Sequence, residues 1–243
     1  MNPQTILITG ANGGIGAATA RLFLERDPTC HVYLGVRSNR DVAEQIATEF
    51  PGRCGVITLD VTRAADWENA VAKITDEGNV VTALVNNAGH HDDHLLATMP
   101  TESWSAVIDS NLNSAFLGSQ AVLRGMMGER FGRIINVSSL SALLAPTGQT
   151  NYAAAKAGLL AMTQSLAKEV ARMGITVNAV CPGYIGTDAL GEMDEAAAKE
   201  RKKAIPMRRF GKPEEVAAAI FFFASHDAAY ITGSTLKIDG GIY

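Results

Sequence analysis

The chain has 243 residues, 47% hydrophobic and 19% charged, enough for one α/β domain with a large core. A formal net charge of -4 leaves no basic footprint for nucleic acid. No apolar run reaches membrane-spanning length, residues 1–9 lack the charged start and cleavage site of a secretory leader, and Cys30, Cys54 and Cys181 fit neither a disulfide framework nor a metal site. A reduced, cytoplasmic protein that meets no membrane is expected.

Short β-rich runs alternate with amphipathic helical stretches along the chain. A strand over 5–9 ends in a glycine loop and is followed by a helix over 15–26. Next come a strand over 31–36, a helix over 41–50, a strand over 55–59 and a helix over 66–75. A strand over 82–85 and a long helical region over 102–127 precede a strand over 133–137. Helix 151–173, strand 175–180, helix 213–224 and strand 235–238 complete the pattern. Nearly continuous apolar strands separated by helices predict a doubly wound, mostly parallel sheet covered on both faces, a single Rossmann-type domain over residues 1–243. Gly10, Asp60, Asn87, Ser139 and Pro182-Gly183 all fall just after strands, so they are expected on one rim. Residues 186–205 are the least sheet-like and could form a substrate lid. Within them, the acidic start at Asp194 and Glu195 and the basic end at Arg201, Lys202 and Lys203 suit a helix dipole.

Thr9-Gly10-Ala11-Asn12-Gly13-Gly14-Ile15-Gly16 leaves a strand and opens a helix. Glycines admit a close backbone approach, and a helix N-terminus offers unpaired N–H groups to a pyrophosphate. The loop is not a strict G-x-G-x-x-G, because Asn12 stands at the second glycine position. At the end of the second strand an NAD-binding protein usually carries a carboxylate for the ribose hydroxyls. This chain instead has Arg37, with Ser38 and Arg40 close by. An arginine can hold a 2′-phosphate bidentately, so NADP(H) is the expected cofactor. Asp60 is a candidate for the adenine amino group and Val61 for its ring.

Tyr152-Ala-Ala-Ala-Lys156 puts a phenol and an ammonium on one face of a helix. A phenol with a pKa near 10 is a poor acid or base at neutral pH, and a fixed cation beside it would lower that pKa. Together with a nucleotide loop and Ser139 upstream, the pair reads as a tuned general acid–base.

With these motifs the chain resembles the short-chain dehydrogenase/reductase family over essentially its whole length. Asn86-Asn87-Ala88-Gly89, Asn111, Pro182-Gly183-Tyr184-Ile185-Gly186-Thr187 and Asp239-Gly240-Gly241 carry the likeness further. Within the family it is similar to 3-oxoacyl-(acyl-carrier-protein) reductases, on the stretches 151–159, 174–178 and 229–233. The resemblance implies a catalytic set of Asn111, Ser139, Tyr152 and Lys156. Tyr152 would protonate the carbonyl oxygen and Ser139 orient it, while Lys156 would hold the nicotinamide ribose and lower the phenol pKa. Asn111, with Asn113 as rival, would position a water. Of Ser138, Ser139 and Ser141, the family's spacing to the tyrosine selects Ser139. Asn87, Ala88, Gly89, Pro182, Gly183, Ile185 and Thr187 would line the cofactor, Thr187 at the pyrophosphate or the carboxamide. Asn86 reads better as a tie between loops.

The resemblance also implies a homotetramer built on the helices near 115–127 and 158–170, and an acyl carrier protein as partner. Arg124, Arg130, Arg133, Lys168 and Arg172 are candidates for docking that acidic partner. NADPH-dependent relatives often carry a basic residue where this chain has Gly13, which leaves phosphate recognition to Arg37. His90-His91-Asp92-Asp93-His94 lacks metal-ligand spacing and reads as a solvated loop or part of the substrate mouth. Two other functions share these motifs: a reductase or dehydrogenase of free small ketones, alcohols or sugars, and a non-catalytic dinucleotide sensor.

Overall fold

The mostly β-branched run Thr5–Thr9 is buried along its whole length as β1, an inner strand of the sheet. The computed structural model describes residues 4–187 and 194–243. Beside β1 lie β2 (His31–Val36), β3 (Cys54–Thr58), β4 (Ala83–Asn86), β5 (Gly132–Val137), β6 (Ile175–Pro182) and β7 (Thr235–Ile238). All pairings are parallel, in the order β3-β2-β1-β4-β5-β6-β7. The order reverses between β1 and β4, and the crevice at such a switch point is where open α/β sheets bind ligands.

Each face of the sheet has its own core. On one, Phe23 and Leu24 of α1 (Gly14–Arg26), Ile46 of α2 (Asp41–Glu49) and Ile220 and Phe223 of α9 (Pro213–Ala224) pack on Ile6, Ile8, Val32 and Leu34. On the other, Trp67 and Ile74 of α3 (Ala64–Asp76) meet Leu7, Leu84 and Ile134. Complete burial of each such side chain contributes about 1.5–3 kcal/mol.

The expected helix over 102–127 is present but interrupted. It runs as α4 (Thr101–Ile108), a π turn at Asp109–Asn113 and α5 (Ser114–Glu129). A short α6 (Ser141–Leu144), not foreseen, follows β5. Helix α7 (Thr150–Val170) ends in a 3-10 turn closed by Gly174 at φ 74°, a left-handed position that favours glycine. Helix α8 (Glu195–Ala204) is capped by Asp194, whose side chain accepts from the Ala197 N–H at 2.8 Å. Residues 188–193 of the expected lid lie outside the described residues.

Candidate active site

The carboxyl ends of β1 to β4 enclose a cavity of about 480 Å3, lined among others by Gly10, Arg37, Asp60, Val61, Asn87, Ala88 and Gly89. Gly10 has φ 64°. A Cβ on Gly16 would overlap the Gly10 carbonyl, so only glycine lets α1 start this close to β1. Thr187 stands over the same loop, its Cγ2 3.0 Å from where a Gly14 Cβ would be. Gly13 is extended, and a Cβ there would meet nothing within 4 Å.

The expected cofactor contacts divide once the side chains are placed. Arg37 is exposed at the cavity, whereas Arg40 is tied to Glu44 and the Thr58 hydroxyl, both at 2.8 Å. Ser38 is exposed beside Arg37. Asn12 accepts from the Val42 and Ala43 N–H groups, so its carbonyl caps α2 and shapes the loop from behind. The Asn87 amide donates to the Thr9 and Gly10 carbonyls at 2.9 and 3.1 Å, which commits that end to the loop. Thr62 bonds, more than the nearby Arg37 and Arg63, hold Asp60 below its ordinary pKa. Pro182 and Gly183 end β6, where Pro182 accepts from the Leu140 N–H and Gly183 donates to Ile238; Ile185 is buried just beyond.

On the β5 side the three serines separate by their bonds. Ser138 Oγ donates to the Lys156 carbonyl at 3.0 Å and is structural. Ser141 Oγ donates to Gln149 at 2.8 Å. Ser139 Oγ accepts from the Ser141 backbone N–H at 3.1 Å and stands near the Tyr152 phenol, where it opposes the rise in pKa that burial causes. Lys156 is buried, and its Nζ donates to the Val137 carbonyl at 2.8 Å while lying 5.6 Å from the centre of the Tyr152 ring. Burial pushes the ammonium down to about 8, and burial also raises the Tyr152 phenol, with Ser139 opposing the rise and Asp93 adding to it.

The phenol therefore moves opposite to the sequence expectation. The lysine cation spends its bond on a backbone carbonyl and sits over the ring instead of at the phenol oxygen.

Asn111 lies on the π turn, a feature frequent at functional sites. Its amide donates to the His90 and Val107 carbonyls at 2.7 and 2.8 Å, and its buried Oδ1 has no partner. That oxygen lies beside Gly89, near the Lys156 Nζ. The rival Asn113 is exposed and bonded to Asp109. Asn86 joins a buried ladder with Asn136 and Thr163, the tie that its motif suggested. The glycine cradle, the free Arg37 and the unpartnered Asn111 oxygen are residues that fit a nicotinamide dinucleotide.

The loop after β4 borders Tyr152, with His91 edge-on to its ring at 5.9 Å and His94 bridged to Gln149. Gln149 and Ser141 belong to no motif; only their polar character within an alanine-rich stretch marks them. Arg133 leaves the candidate docking patch. It is 2% exposed, bonds the Gly132, Gly174 and Ser225 carbonyls, and stacks on Phe131. Arg124, Arg130, Lys168 and Arg172 are exposed. Among the described residues no cluster of three or more His, Cys, Asp or Glu could hold a metal, and no helix is long and apolar enough to cross a membrane.

A parallel sheet with this switch-point cavity, and a Ser–Tyr–Lys set on its rim, defines a Rossmann-type oxidoreductase. The chain belongs to the short-chain dehydrogenase/reductase family, matching over residues 10–243 the family model described as enoyl-(acyl carrier protein) reductase. It is 44% identical over 238 residues to the 3-oxoacyl-(acyl-carrier-protein) reductase FabG of Vibrio harveyi, covering 98% of this chain and 96% of the relative. It is 42% identical over 237 residues to the protein of the same name from Escherichia coli (strain K12), with the same coverage. Among solved structures, an Agrobacterium tumefaciens protein provisionally described as a gluconate dehydrogenase superposes with a TM-score of 0.93 at 30% identity, over 98% of this chain and 95% of that one.

Proposed function

We propose that the chain reduces a 3-oxoacyl thioester carried by acyl carrier protein to the 3-hydroxyacyl form, with NADPH as reductant. The observation that supports this most is the convergence of the Ser139 and Tyr152 hydroxyls, with Lys156 behind them, beside the switch-point cavity. The names of the full-length relatives supply the substrate class.

When bound, NADPH supplies a hydride to the carbonyl carbon. Ser139 Oγ hydrogen-bonds the carbonyl oxygen and orients it. Tyr152 Oη gives its proton to that oxygen as negative charge develops, and its raised pKa keeps the proton in place until then. Lys156 Nζ serves the ribose hydroxyls, and the Asn111 Oδ1 is the acceptor that would hold a water leading to it. Arg37, flanked by Ser38, would take the 2′-phosphate, and Thr187, close to Gly14, would meet the pyrophosphate or the carboxamide. The remaining rim residues, Ile15, Asp60, Val61, Ala88, Gly89, Pro182, Gly183 and Ile185, shape the groove.

Arg124, Arg130, Lys168 and Arg172 are the basic residues available to an acidic carrier protein. Exposed Phe116 and Met127 on α5 suit a subunit contact within a homotetramer. Burial pushes the Cys30 thiol up to about 12 and the Cys54 thiol up to about 11, which suits inert thiols in a reduced, cytoplasmic setting.

The test is NADPH oxidation against a panel of acetoacetyl thioester, enoyl thioester, simple ketones and oxidised sugar acids. Preferred turnover of the 3-oxoacyl thioester is expected; preference for the enoyl thioester or a sugar acid would replace this reading. Tyr152→Phe should lower kcat by at least about 10²-fold with NADPH binding nearly unchanged, and a variant that keeps its kcat would remove Tyr152 from the mechanism.

A further inference from the structure

A ring of contacts ties the loop after β4 to the two reactive hydroxyls. His91 lies edge-on to the Tyr152 ring, and its Nδ1 is 3.2 Å from Asp93 Oδ1. Gln149 Nε2 donates to Asp93 Oδ2 at 2.9 Å, and Gln149 Oε1 accepts from Ser141 Oγ at 2.8 Å. The Ser141 backbone N–H donates to Ser139 Oγ at 3.1 Å, and the Ser139 hydroxyl stands near enough to the Tyr152 phenol to oppose the rise in its pKa, which closes the ring. The loop is pinned against slipping: His94 N–H donates to the Gly148 carbonyl at 2.8 Å and Asn151 Nδ2 to the Asp92 carbonyl at 3.0 Å.

The polarity of this chain has a consequence for Ser139. A carboxylate only accepts, so the Gln149 amide must face Asp93 with its nitrogen and Ser141 with its oxygen. Ser139 Oγ, filled on one side by a backbone donor, has its single proton free to point toward the phenol or a carbonyl oxygen. Helix α6, which carries Ser141, spans only Ser141–Leu144 and has little rigidity of its own. The Gln149 link fastens it to the start of α7, where Tyr152 sits. Asp93 is 44% exposed on its side chain, so solvent screens its charge and the link acts through geometry rather than field.

We propose that Asp93, Gln149 and Ser141 are positioning residues for the reduction, holding Ser139 in register with Tyr152, with His91 closing the ring over the phenol. This rests on the carbonyl-reductase reading above.

The test reverses the polarity of one link. Gln149→Glu keeps the acceptor for Ser141 but sets two carboxylates against each other; it should lower kcat about 10-fold, within the range that a small misplacement of a reacting group costs. NADPH affinity should stay unchanged. In Asp93→Asn the new side-chain carbonyl can still accept from Gln149, so kcat should stay within about threefold of wild type. The double variant Asp93→Asn/Gln149→Glu restores a donor facing an acceptor, and its kcat should return to within about threefold of wild type, a coupling that independent sites would not show. Wild-type kcat in Gln149→Glu, or a double variant no faster than Gln149→Glu, would overturn the proposal.

If Gln149→Glu fails to fold, Ser141→Ala probes the same link from its other end. It should lower kcat with NADPH affinity intact, while Ser141→Thr, which keeps the hydroxyl, should preserve kcat; equal rates in the two overturn the proposal. A crystal structure of Gln149→Glu, or of Ser141→Ala, gives a readout free of activity. Ser139 Oγ should have turned from Tyr152, and an unmoved Ser139 counts against the proposal. A wild type that reduces no 3-oxoacyl thioester overturns the preceding reading alone, because this geometry is still read in the crystal and kcat on whichever ketone is turned over.

Discussion

Replacing Lys156 by methionine separates what the buried cation costs the fold from what it does for the chemistry. Burial pushes its pKa from 10.5 down to about 8, and at about 1.4 kcal/mol per unit that is about 3 kcal/mol carried as a penalty at neutral pH. Methionine is close in length and carries no charge, but it leaves the Val137 carbonyl without its donor, a loss of about 1.5–3 kcal/mol. The net expectation is a gain of about 1 kcal/mol, or a Tm about 2–4 °C higher for a chain of this size, together with loss of turnover.

The pH dependence sharpens this. Between about pH 8 and the unfolded value of 10.5 the folded chain holds fewer protons on Lys156 than the unfolded chain does. Wild-type stability should therefore rise with pH across that window relative to Lys156→Met, and the difference should be constant below it. Urea unfolding of both proteins at one concentration, at steps from neutral pH to pH 10, reads the difference directly. A Lys156→Met variant less stable than wild type at neutral pH, with a difference that does not change through the window, would refute the claim that burial depresses this lysine.

Arg37→Asp should reverse the cofactor order from NADPH to NADH, measured as the ratio of kcat/KM values; equal use of both cofactors by wild type would dismiss the Arg37 argument. Gly13→Arg should increase the preference for NADPH at little cost in stability, since the backbone is extended there and a Cβ meets nothing; a large fall in Tm would contradict the open space at that position. Arg130→Glu should raise KM for a carrier-bound 3-oxoacyl substrate while leaving a short thioester unaffected. The effect should fade with salt, because the Debye length falls from about 10 Å at 0.1 M to about 3 Å at 1 M, and equal effects on both substrates would point to an active-site defect.

Where the sequence could be read, local patterns matched the way the fold is built. Thr5–Thr9 and His31–Val36 are unbroken apolar runs between turn signals, and both are buried strands at the expected positions. The π turn at Asp109–Asn113 was hidden because helical periodicity continues on both sides of it; one extra residue in a turn leaves no mark in composition. Arg133 looked like a surface charge because its partners, the carbonyls of Gly132, Gly174 and Ser225, are mostly distant in sequence. Tyr152 and Lys156 stand out by type and spacing, and Ser139 is selected from its neighbours only by the family resemblance. The ring through His91, Asp93, Ser141 and Gln149 was not, since it exists only once three separate segments meet.

The two shifted pKa values also bear on how Tyr152 would recover its proton in the proposed reaction. Burial raises the Tyr152 phenol and pushes the Lys156 ammonium down to about 8, so the phenol becomes the weaker acid of the two. In the proposed reaction, once Tyr152 gives its proton to the substrate oxygen, the resulting phenolate is a stronger base than the Lys156 amine. Proton return from Lys156 to Tyr152 is therefore downhill. With 5.6 Å between Nζ and the ring centre, it needs a bridging hydroxyl or water rather than direct contact. In the oxidative direction the same proton would have to move uphill, from phenol to amine, before Tyr152 could act as a base. Burial of these two side chains thus keeps the proton on Tyr152 at rest and favours its return after each turnover, while the balance between ketone and alcohol is set by the substrates and the pH.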